Sequence, residues 1–368
     1  MTTEGTTEQP EGELTLHTLL RAMMDYGASD LHITTGSPPQ LRIDGDLSPL
    51  KTPPLNSRET KRLCFSLLTE AQQKRFERDR ELDFSFGVKN MARFRANFFI
   101  QRSAVAAAIR KLSFDIPTFD ELGLPESVKH LASRPAGLVL VTGPTGSGKS
   151  TTLAALVDMI NANRRAHIIT IEDPIEYIFT ESKATINQRE VGIDCLSFNE
   201  ALRALVREDP DVVLVGEMRD KETFEAAIRA AETGHVVFGT IHASSAWQTF
   251  GRIYDLFDEG EVPQIRKLLA FNMRAIIYQK LLKTLHPDTT PRIPALEILL
   301  GTPAVQKYIL EGREGELLEI IKQSHEEGMV DFTTALVQLV ESEWIHHRVA
   351  MDATPKPEEL KMRLKGIS

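Results

Sequence analysis

The chain has few cysteines and no excess of positive charge, and both shortages narrow the possible functions. Its 368 residues contain only Cys64 and Cys195, which are far apart and form no CxxC pair. Two isolated thiols predict neither a disulfide framework nor a thiolate zinc site, and they favour a reducing compartment. The formal net charge of −9 disfavours a nucleic-acid binder, because affinity for polyphosphate depends on clustered lysine and arginine. We therefore expect no nucleic acid among the partners.

Long apolar runs are also missing. No stretch approaches the roughly 18–20 apolar residues that span a bilayer, and no signal peptide opens the chain. We therefore expect a cytoplasmic protein without membrane insertion. A hydrophobic share of 42% and a charged share of 26% are ordinary for globular proteins with sizeable cores. The length predicts two or three domains.

The first third of the chain predicts a tail and then an α+β domain. Residues 1–13 are largely polar and are expected to be disordered. Residues 14–114 contain helical patterns and two strongly alternating segments, 82–88 and 92–100, which indicate strands with one buried face. A sheet with helices packed on it accounts for this mixture. Proline and glycine mark an interdomain linker at 115–124.

The rest of the chain predicts an α/β domain followed by helices. From 125 to 290, apolar strands alternate with helical patterns, which implies a buried and largely parallel sheet with ligands at the carboxyl ends of its strands. From 291 to 351 the pattern becomes mainly helical, and 352–368 resembles a charged tail. The expected strands of the sheet lie near 138–141, 167–172, 212–216 and 236–241.

A glycine-rich loop follows the first of these strands and precedes a helical pattern. It fits G-x-x-x-x-G-K-[ST], the pattern of a triphosphate-binding loop. Glycines let backbone N–H groups converge on phosphate oxygens, because no Cβ atom blocks their approach. Lys149 adds a full charge between the β- and γ-phosphates, and Ser150 supplies a hydroxyl for Mg²⁺. The residues of the loop are Gly143, Pro144, Thr145, Gly146, Ser147, Gly148, Lys149, Ser150 and Thr151.

Carboxylates follow two further strands. The apolar run 212–215 leads into Gly216 and Glu217, the form of a Walker B element, where a carboxylate can hold Mg²⁺ through water or orient the attacking water. A solvated glutamate at a strand end is the alternative interpretation. The strand near 167–172 delivers three acids within five residues, either for a bound cation or as an ordinary acidic loop: Glu172, Asp173 and Glu176.

Two histidines bracket the apolar strand 236–241. His235 and His242 lie at its opposite ends, so they cannot share a metal ion through adjacency. His242, at the carboxyl end, is the better candidate for sensing the γ-phosphate. Hydrogen-bonded structural histidines remain the alternative for both.

Arginines of the first domain form the last group of candidates. Arg93, Arg95, Arg102 and Arg110 are remote in sequence from the glycine-rich loop. They are either solvated side chains at a sheet edge or arginine fingers that act on a neighbouring subunit. The sequence pattern leaves both interpretations open.

Four linked motifs, in this order and spacing, resemble the PilT-type twitching-motility ATPases of the type II/IV secretion ATPase superfamily. The first domain resembles the same family through GASDLHIT at 27–34 and ARFRANFF at 92–99. The resemblance covers about residues 14–350. The four motifs are GPTGSGKSTT, TIEDPIEYI, ALRALVREDPDVVLVGEMRDKET and AETGHVVFGTIHA.

The resemblance implies a RecA-like P-loop ATPase domain preceded by a PAS-like α+β domain and followed by a small helical C-terminal extension. It implies a homohexamer that hydrolyses ATP with Mg²⁺, docks on an inner-membrane pilus platform protein at the cytoplasmic face, and retracts the pilus. Glu176 and Glu217 become the candidates for activating water, with Glu217 also organising the metal. His235 and His242 form a histidine box, and Arg95 and Arg110 match arginines that reach the nucleotide of an adjacent subunit.

Two features sort this chain among such relatives. Pilus-extension and type II secretion ATPases usually carry a four-cysteine zinc insert, which two cysteines cannot form, so retraction is favoured. The retraction motif A-I-R-N-L-I-R-E, however, is replaced by residues 304–311, AVQKYILE, which lack both arginines. This departure leaves two alternatives, an accessory retraction ATPase paralogous to a main motor, or an extension or secretion ATPase that has lost its insert.

Overall fold

The chain divides into two compact units, Met1–Phe114 and Asp115–Ser368. The structure, a computed structural model, describes residues 14–43, 45–89, 91–112, 115–205 and 207–366. The predicted disordered tail, 1–13, lies outside the described residues. Each unit has its own hydrophobic core.

The first unit is an antiparallel sheet with helices packed on it. Its six strands have the order β3-β2-β1-β6-β5-β4, and all neighbours are antiparallel. Its elements, in chain order, are α1 Leu16–Asp25, β1 Asp30–Ile33, β2 Gln40–Ile43, β3 Asp46–Pro49, α2 Ser57–Phe65, α3 Glu70–Asp79, β4 Glu81–Val88, β5 Ala92–Gln101 and β6 Ala104–Leu112.

The alternation predicted for this sheet is confirmed in β5. Phe94, Ala96 and Phe98 are fully buried, whereas Arg93 and Arg95 on the other face are partly exposed. Side chains of a strand point alternately to its two faces, so this pattern gives the sheet one apolar face for α1 and α2. The α+β prediction for this part of the chain is thereby confirmed.

The second unit is built on a seven-stranded sheet of order β13-β12-β7-β11-β10-β8-β9. All neighbours are parallel except β12 and β13, which form an antiparallel pair. The strands are β7 Gly137–Thr142, β8 His167–Glu172, β9 Thr185–Glu190, β10 Val212–Val215, β11 Val236–Ile241, β12 Met273–Lys283 and β13 Arg292–Leu300. The helices are α4 Glu126–Lys129, α5 Lys149–Asn163, α6 Phe198–Leu205, α7 Lys221–Glu232, α8 Thr249–Tyr254, α9 Val262–Asn272, α10 Pro303–Leu310, α11 Leu317–Gln323, α12 Phe332–Glu341, α13 His347–Ala353 and α14 Pro357–Leu364.

Two hydrophobic clusters cover the two faces of this sheet. In β7, Leu138 and Leu140 join the cluster that contains Phe224 of α7, whereas Val139 and Val141 join the cluster of α5. Because both faces are covered, every residue of β7 is buried. The predicted α/β class with a largely parallel sheet is confirmed, and the carboxyl ends of β7, β11, β10 and β8 lie along one edge.

The sequence prediction placed the start of the helical part too early. Residues 292–300, predicted as helical, form β13 at the edge of the sheet, and the helices after it begin at Pro303. Pro294 lies within β13, and proline is tolerated in an edge strand because its missing N–H faces no partner. Strands β9 and β12 were also not predicted. β12 follows α9 without a break, so no turn signal separates them.

The predicted linker, 115–124, and the predicted charged tail, 352–368, both contain residues that are buried in the second unit. Phe119, in the segment predicted as a linker, is buried in the core beside α5. Leu360, in the predicted charged tail, is fully buried, because α14 turns its apolar side toward the helices of the C-terminal part. Arg363 fixes α14 by donating to the Thr334 hydroxyl of α12 at 2.6 Å. Among the described helices, none combines the length and apolarity needed to cross a membrane.

Candidate nucleotide site

The glycine-rich loop joins β7 to α5 at the carboxyl edge of the sheet. Gly143, Gly146 and Gly148 have φ angles of 142°, 76° and 85°, a region that side chains with a Cβ rarely adopt. A Cβ atom on Gly143 would also lie 2.2 Å from the carbonyl oxygen of Gln279. Gly148 is the N-cap of α5. The loop therefore forms an open turn whose N–H groups and helix dipole can face an anion.

Lys149 lies across this turn. Its Nζ donates to the carbonyl oxygens of Gly143 and Pro144, both at 3.1 Å. Burial lowers the pKa of Lys149, and the charge of Glu217 opposes that shift. The ammonium is thus held at the mouth of the loop and faces the carboxylate after β10.

Glu217 is surrounded by cationic groups. Arg219 donates to its Oε2 at 2.6 Å, and His242 Nε2 lies 3.1 Å from its Oε1. Burial works to raise the pKa of Glu217, but the hydrogen bond and charge of Arg219, with the charges of His242 and Lys149, bring it below its ordinary value. The carboxylate is therefore held ionised at the edge of the site.

His242 connects this carboxylate to the glycine-rich loop. Its Nδ1 lies 3.2 Å from the carbonyl oxygen of Gly143, while its Nε2 faces Glu217. Both partners are acceptors, so a proton on the facing ring nitrogen makes each contact a hydrogen bond. The strand order β7-β11-β10 explains the contact, because the three residues follow three adjacent strands.

The acids after β8 lie beside the same edge. Glu172 is 8% exposed, and its Oε1 accepts from Thr170 at 2.6 Å and from Gln188 at 3.3 Å. Burial raises the pKa of Glu172 to about 7, against those two hydrogen bonds. The backbone passes close to Glu172 at Gly216, where a Cβ atom would lie only 3.2 Å from the Cα of Glu172.

The segment after Glu172 turns back to the start of α5. The backbone N–H of Glu176 donates to the Glu172 carboxylate, and the hydroxyl groups of Tyr177 and Thr151 are 2.8 Å apart. Asp173 faces Arg219, whose pKa is raised first by Glu217 and then also by Asp173. The fold thus brings the acidic cluster, Glu217 and the glycine-rich loop to one edge.

The residues present fit a magnesium-bound triphosphate. The Oγ of Ser147, a residue only 3% exposed, has no partner, and Thr145, Gly146 and Ser150 are exposed at the surface of the loop. Across the described ranges, no group of three or more histidine, cysteine, aspartate or glutamate residues could cage a metal ion. Mg²⁺ needs no such cage, because it is usually held by one or two protein groups together with phosphate oxygens and water.

His235 lies at the opposite edge of the sheet from the glycine-rich loop. Its backbone carbonyl accepts from Gly137 N at 3.0 Å, at the amino end of β7. Its ring Nδ1 faces the carbonyl oxygen of Ala230 at 2.9 Å. The two histidines lie at opposite ends of β11, about 23 Å apart at some 3.3 Å per residue. His235 instead lines a cavity of about 410 Å³ between α6 and α7.

The candidate arginines lie on the sheet of the first unit. Arg95 is the cross-strand neighbour of Arg110, and Arg110 Nε donates to Asp30 Oδ1 at 2.8 Å. Burial works to raise the pKa of Asp30, but hydrogen bonds from Ser29 and Arg110 lower it overall. Arg110 is therefore held in place by an ionised carboxylate within its own unit.

Sequence reasoning missed several residues that shape the site. Gln279 on β12 contacts the glycine-rich loop and α5, Arg219 pairs with Glu217, and Tyr177 contacts Thr151. The sequence signal for Gln279 was an amide inside the largely apolar run 275–282. Finding its partners requires the order of strands, which no local pattern contains.

A parallel sheet with a glycine-rich loop after β7, and acids after β8 and β10, defines a RecA-like P-loop ATPase. The family described as type II/IV secretion system protein matches residues 6–346, and the chain belongs to that family. The match covers both units.

Three similar proteins refine this assignment. The type IV pilus retraction ATPase PilT of Pseudomonas aeruginosa is 43% identical over 92% of this chain and 98% of its own length. The type IV pilus ATPase PilU of Pseudomonas aeruginosa is 39% identical, covering 94% of this chain and 90% of PilU. The crystal structure of the pilus retraction motor PilT with bound ADP superimposes with a TM-score of 0.89 at 45% identity, covering 95% of this chain and 99% of that one.

Proposed function

We propose that this ATPase is a motor that powers type IV pilus retraction, with Mg²⁺ as its cofactor. The observation that carries the proposal is the contact of His242 with both Glu217 and Gly143. It holds the strand-end acid beside the phosphate-binding loop, where a carboxylate can orient water toward a terminal phosphate. The two PilT proteins are described as a retraction ATPase and a retraction motor, which supports retraction rather than extension of the pilus.

The residues have distinct roles in this proposal. Backbone N–H groups of 143–151 hold the phosphates, and Lys149 leaves its two loop carbonyls for phosphate oxygens, which carry more charge. Glu217 orients the attacking water, and Glu176 is the alternative base. Glu172 and Asp173 are the other acidic residues beside them. His242 donates toward the γ-phosphate side of the loop and reports whether that phosphate is present.

Ser150 and Glu217 would hold Mg²⁺, Ser150 directly and Glu217 through water. Held there, Mg²⁺ would supply positive charge that offsets the negative charge of the phosphates. Ser150 is exposed beside Lys149 at the start of α5, which suits a ligand shared with a phosphate.

The proposal extends to the assembly. The working form is a homohexamer in which Arg95 and Arg110 of one subunit reach the nucleotide of the next, acting as arginine fingers. His235, remote from the site of its own subunit, is not part of this constellation. The ring docks on an inner-membrane pilus platform protein at the cytoplasmic face, peripheral to the membrane.

A second candidate is an accessory retraction ATPase that works with a paralogous main motor. The observation that favours it is α10, where Gln306 and Leu310 replace the two arginines of the retraction motif. The side chains of Val305 and Ile309 are buried on the inner side of this helix, whereas Leu310 is 46% exposed. The altered residues therefore lie where a partner would contact the helix, and the similarity to PilU supports such a role.

Replacing Lys149 tests the function. Lys149→Ala removes the ammonium that faces the phosphates, and we expect ATP turnover by the purified chain to fall by a factor of at least about 100, since removing one such transition-state charge costs about 2.7–4 kcal/mol. Cells that carry only this variant should be hyperpiliated and should not twitch. Lys267→Ala, at an exposed position of α9, is the control. Unchanged hydrolysis by Lys149→Ala would refute the assignment of the site. Normal twitching without any hydrolysis would refute the motor role.

A further inference from the structure

Gln279 lies beside the glycine-rich loop, on the strand that neighbours β7. In the register of β12 and β7, Tyr278 is opposite Thr142, so Gln279 comes just past the end of β7, level with the loop. It is 2% exposed. A buried primary amide is costly unless its polar groups are paired, so its partners indicate why this position holds a glutamine.

Both polar atoms of the Gln279 side chain form hydrogen bonds with the glycine-rich loop and the helix after it. Its Nε2 donates to the carbonyl oxygen of Ser147 at 2.7 Å. Its Oε1 accepts from the hydroxyl of Thr152 at 2.8 Å. The carbonyl of Ser147 can only accept, so these two partners fix the orientation of the amide.

The hydrogen bond to Ser147 determines the direction of a neighbouring donor. The Ser147 carbonyl and the Gly148 N–H belong to one planar trans peptide, in which C=O and N–H point in opposite directions. Because Gln279 holds the carbonyl toward β12, the Gly148 N–H points away from β12. A Cβ on Gly148 would lie 2.9 Å from Gln279 Nε2, so the peptide and the amide are in direct contact.

We propose that Gln279 is a positioning residue for nucleotide binding, which orients the Ser147–Gly148 peptide so that its N–H faces a phosphate. Thr152 holds the amide from its other side and belongs to the same device. The inference rests on the proposed ATP hydrolysis and adds a specific structural source for the phosphate affinity of the loop. Gln279 itself touches no reacting atom.

The test uses near-isosteric substitutions that remove the hydrogen bonds. Gln279→Met keeps the length of the side chain and removes both bonds, and Thr152→Val removes only the hydroxyl. We expect each to raise the Kd for ADP and the KM for ATP by about tenfold, because a misdirected N–H loses its hydrogen bond to a charged phosphate. The turnover number at saturating ATP should change less. Thr152→Ser, which keeps the hydroxyl, should restore both values.

The double variant separates positioning from general packing. If the two residues act as one device, Gln279→Met with Thr152→Val should bind ADP about as weakly as Gln279→Met alone. A wild-type Kd for ADP in both single variants, or a purely additive double variant, would overturn the proposal. A lower unfolding temperature with unchanged nucleotide constants would also overturn it. If Gln279→Met does not fold, the comparison of Thr152→Val with Thr152→Ser decides.

Failure of the proposed function would look different. If the wild-type chain bound ADP but did not hydrolyse ATP, the motor assignment would fail. The ADP affinities of the four variants would still report on Gln279.

Discussion

The carboxylate of Glu217 lies between Arg219 and His242 and faces the ammonium of Lys149. Such surroundings hold it ionised, which suits a group that positions water or a cation but makes it a weak proton acceptor. Glu172 has the opposite environment, since burial raises its pKa to about 7. The backbone N–H of Glu176 donates a hydrogen bond to the carboxylate of Glu172. Environments that differ in this way favour a division of labour, in which Glu217 orients groups and Glu172 can accept a proton.

Replacing Glu217 or Glu176 tests the catalytic roles that we propose for these two residues. Glu217→Gln and Glu176→Gln keep the shape of the side chain, so we expect both variants to retain ADP binding and to lose turnover by about 10²-fold or more. Nucleotide affinity by calorimetry and phosphate release by a coupled assay measure the two properties. Glu225→Gln on α7, away from the loop edge, is the control. Wild-type turnover in both site variants would remove these residues from the catalytic roles proposed for them.

At the scale of elements, the β12–β13 hairpin supports two loops of the site. Gln279 on β12 holds the glycine-rich loop, and Glu297 on β13 is 3% exposed. Oε1 of Glu297 accepts from the backbone N–H of Ala246 at 2.7 Å. Burial raises the pKa of Glu297, while backbone donors from Ala246, Phe332 and Trp247 oppose this. One carboxylate thus joins the loop after β11, which begins at His242, to the start of α12.

Removing this carboxylate should affect both stability and activity. Glu297→Ala leaves buried N–H groups without an acceptor, at about 1–3 kcal/mol each, so we expect the urea midpoint to fall clearly. Turnover should fall as well, because the loop that begins at His242 loses its anchor. Glu319→Ala, at an exposed position of α11, is the matched control. An unchanged urea midpoint for Glu297→Ala would show that other groups satisfy these donors.

At the scale of the whole molecule, the arginine fingers that we propose would divide the site between subunits. Lys149 belongs to the second unit and Arg95 to the first, and these are separate compact bodies of one chain. Heterologous contacts repeated around a ring bring one face of each subunit against the other face of its neighbour. An arginine supplied in this way makes hydrolysis depend on assembly.

Mixing two inactive variants distinguishes action between subunits from action within one. Lys149→Ala and Arg95→Ala rings should each hydrolyse ATP slowly when assembled alone. When the two proteins are mixed and reassembled, some interfaces pair an intact Lys149 with an intact Arg95, so turnover should partly recover. Phosphate release against mixing ratio measures this, and mixing Arg95→Ala with Arg110→Ala gives the comparison for two residues of the same unit. No recovery at any ratio would contradict a shared site.

Much of the fold could be predicted from the sequence, because its signals are local. Alternation in 92–100 gives a half-buried strand, unbroken apolar runs give the buried strands β7, β8, β10 and β11, and three glycines with positive φ specify the phosphate-binding turn. The alternation of strands and helices also predicted a largely parallel sheet with ligands at the carboxyl ends of its strands. The local chemistry was sufficient at each of these points.

Only the tertiary structure determined what depends on neighbours distant in sequence. Gln279 contacts Thr152 across 127 positions, and β13 is a strand because β12 pairs with it despite Pro294. Hydrogen-bond partners and strand order arise from long-range packing. The sequence by itself determined a phosphate-binding ATPase, and the fold determined which buried groups hold its loops in position.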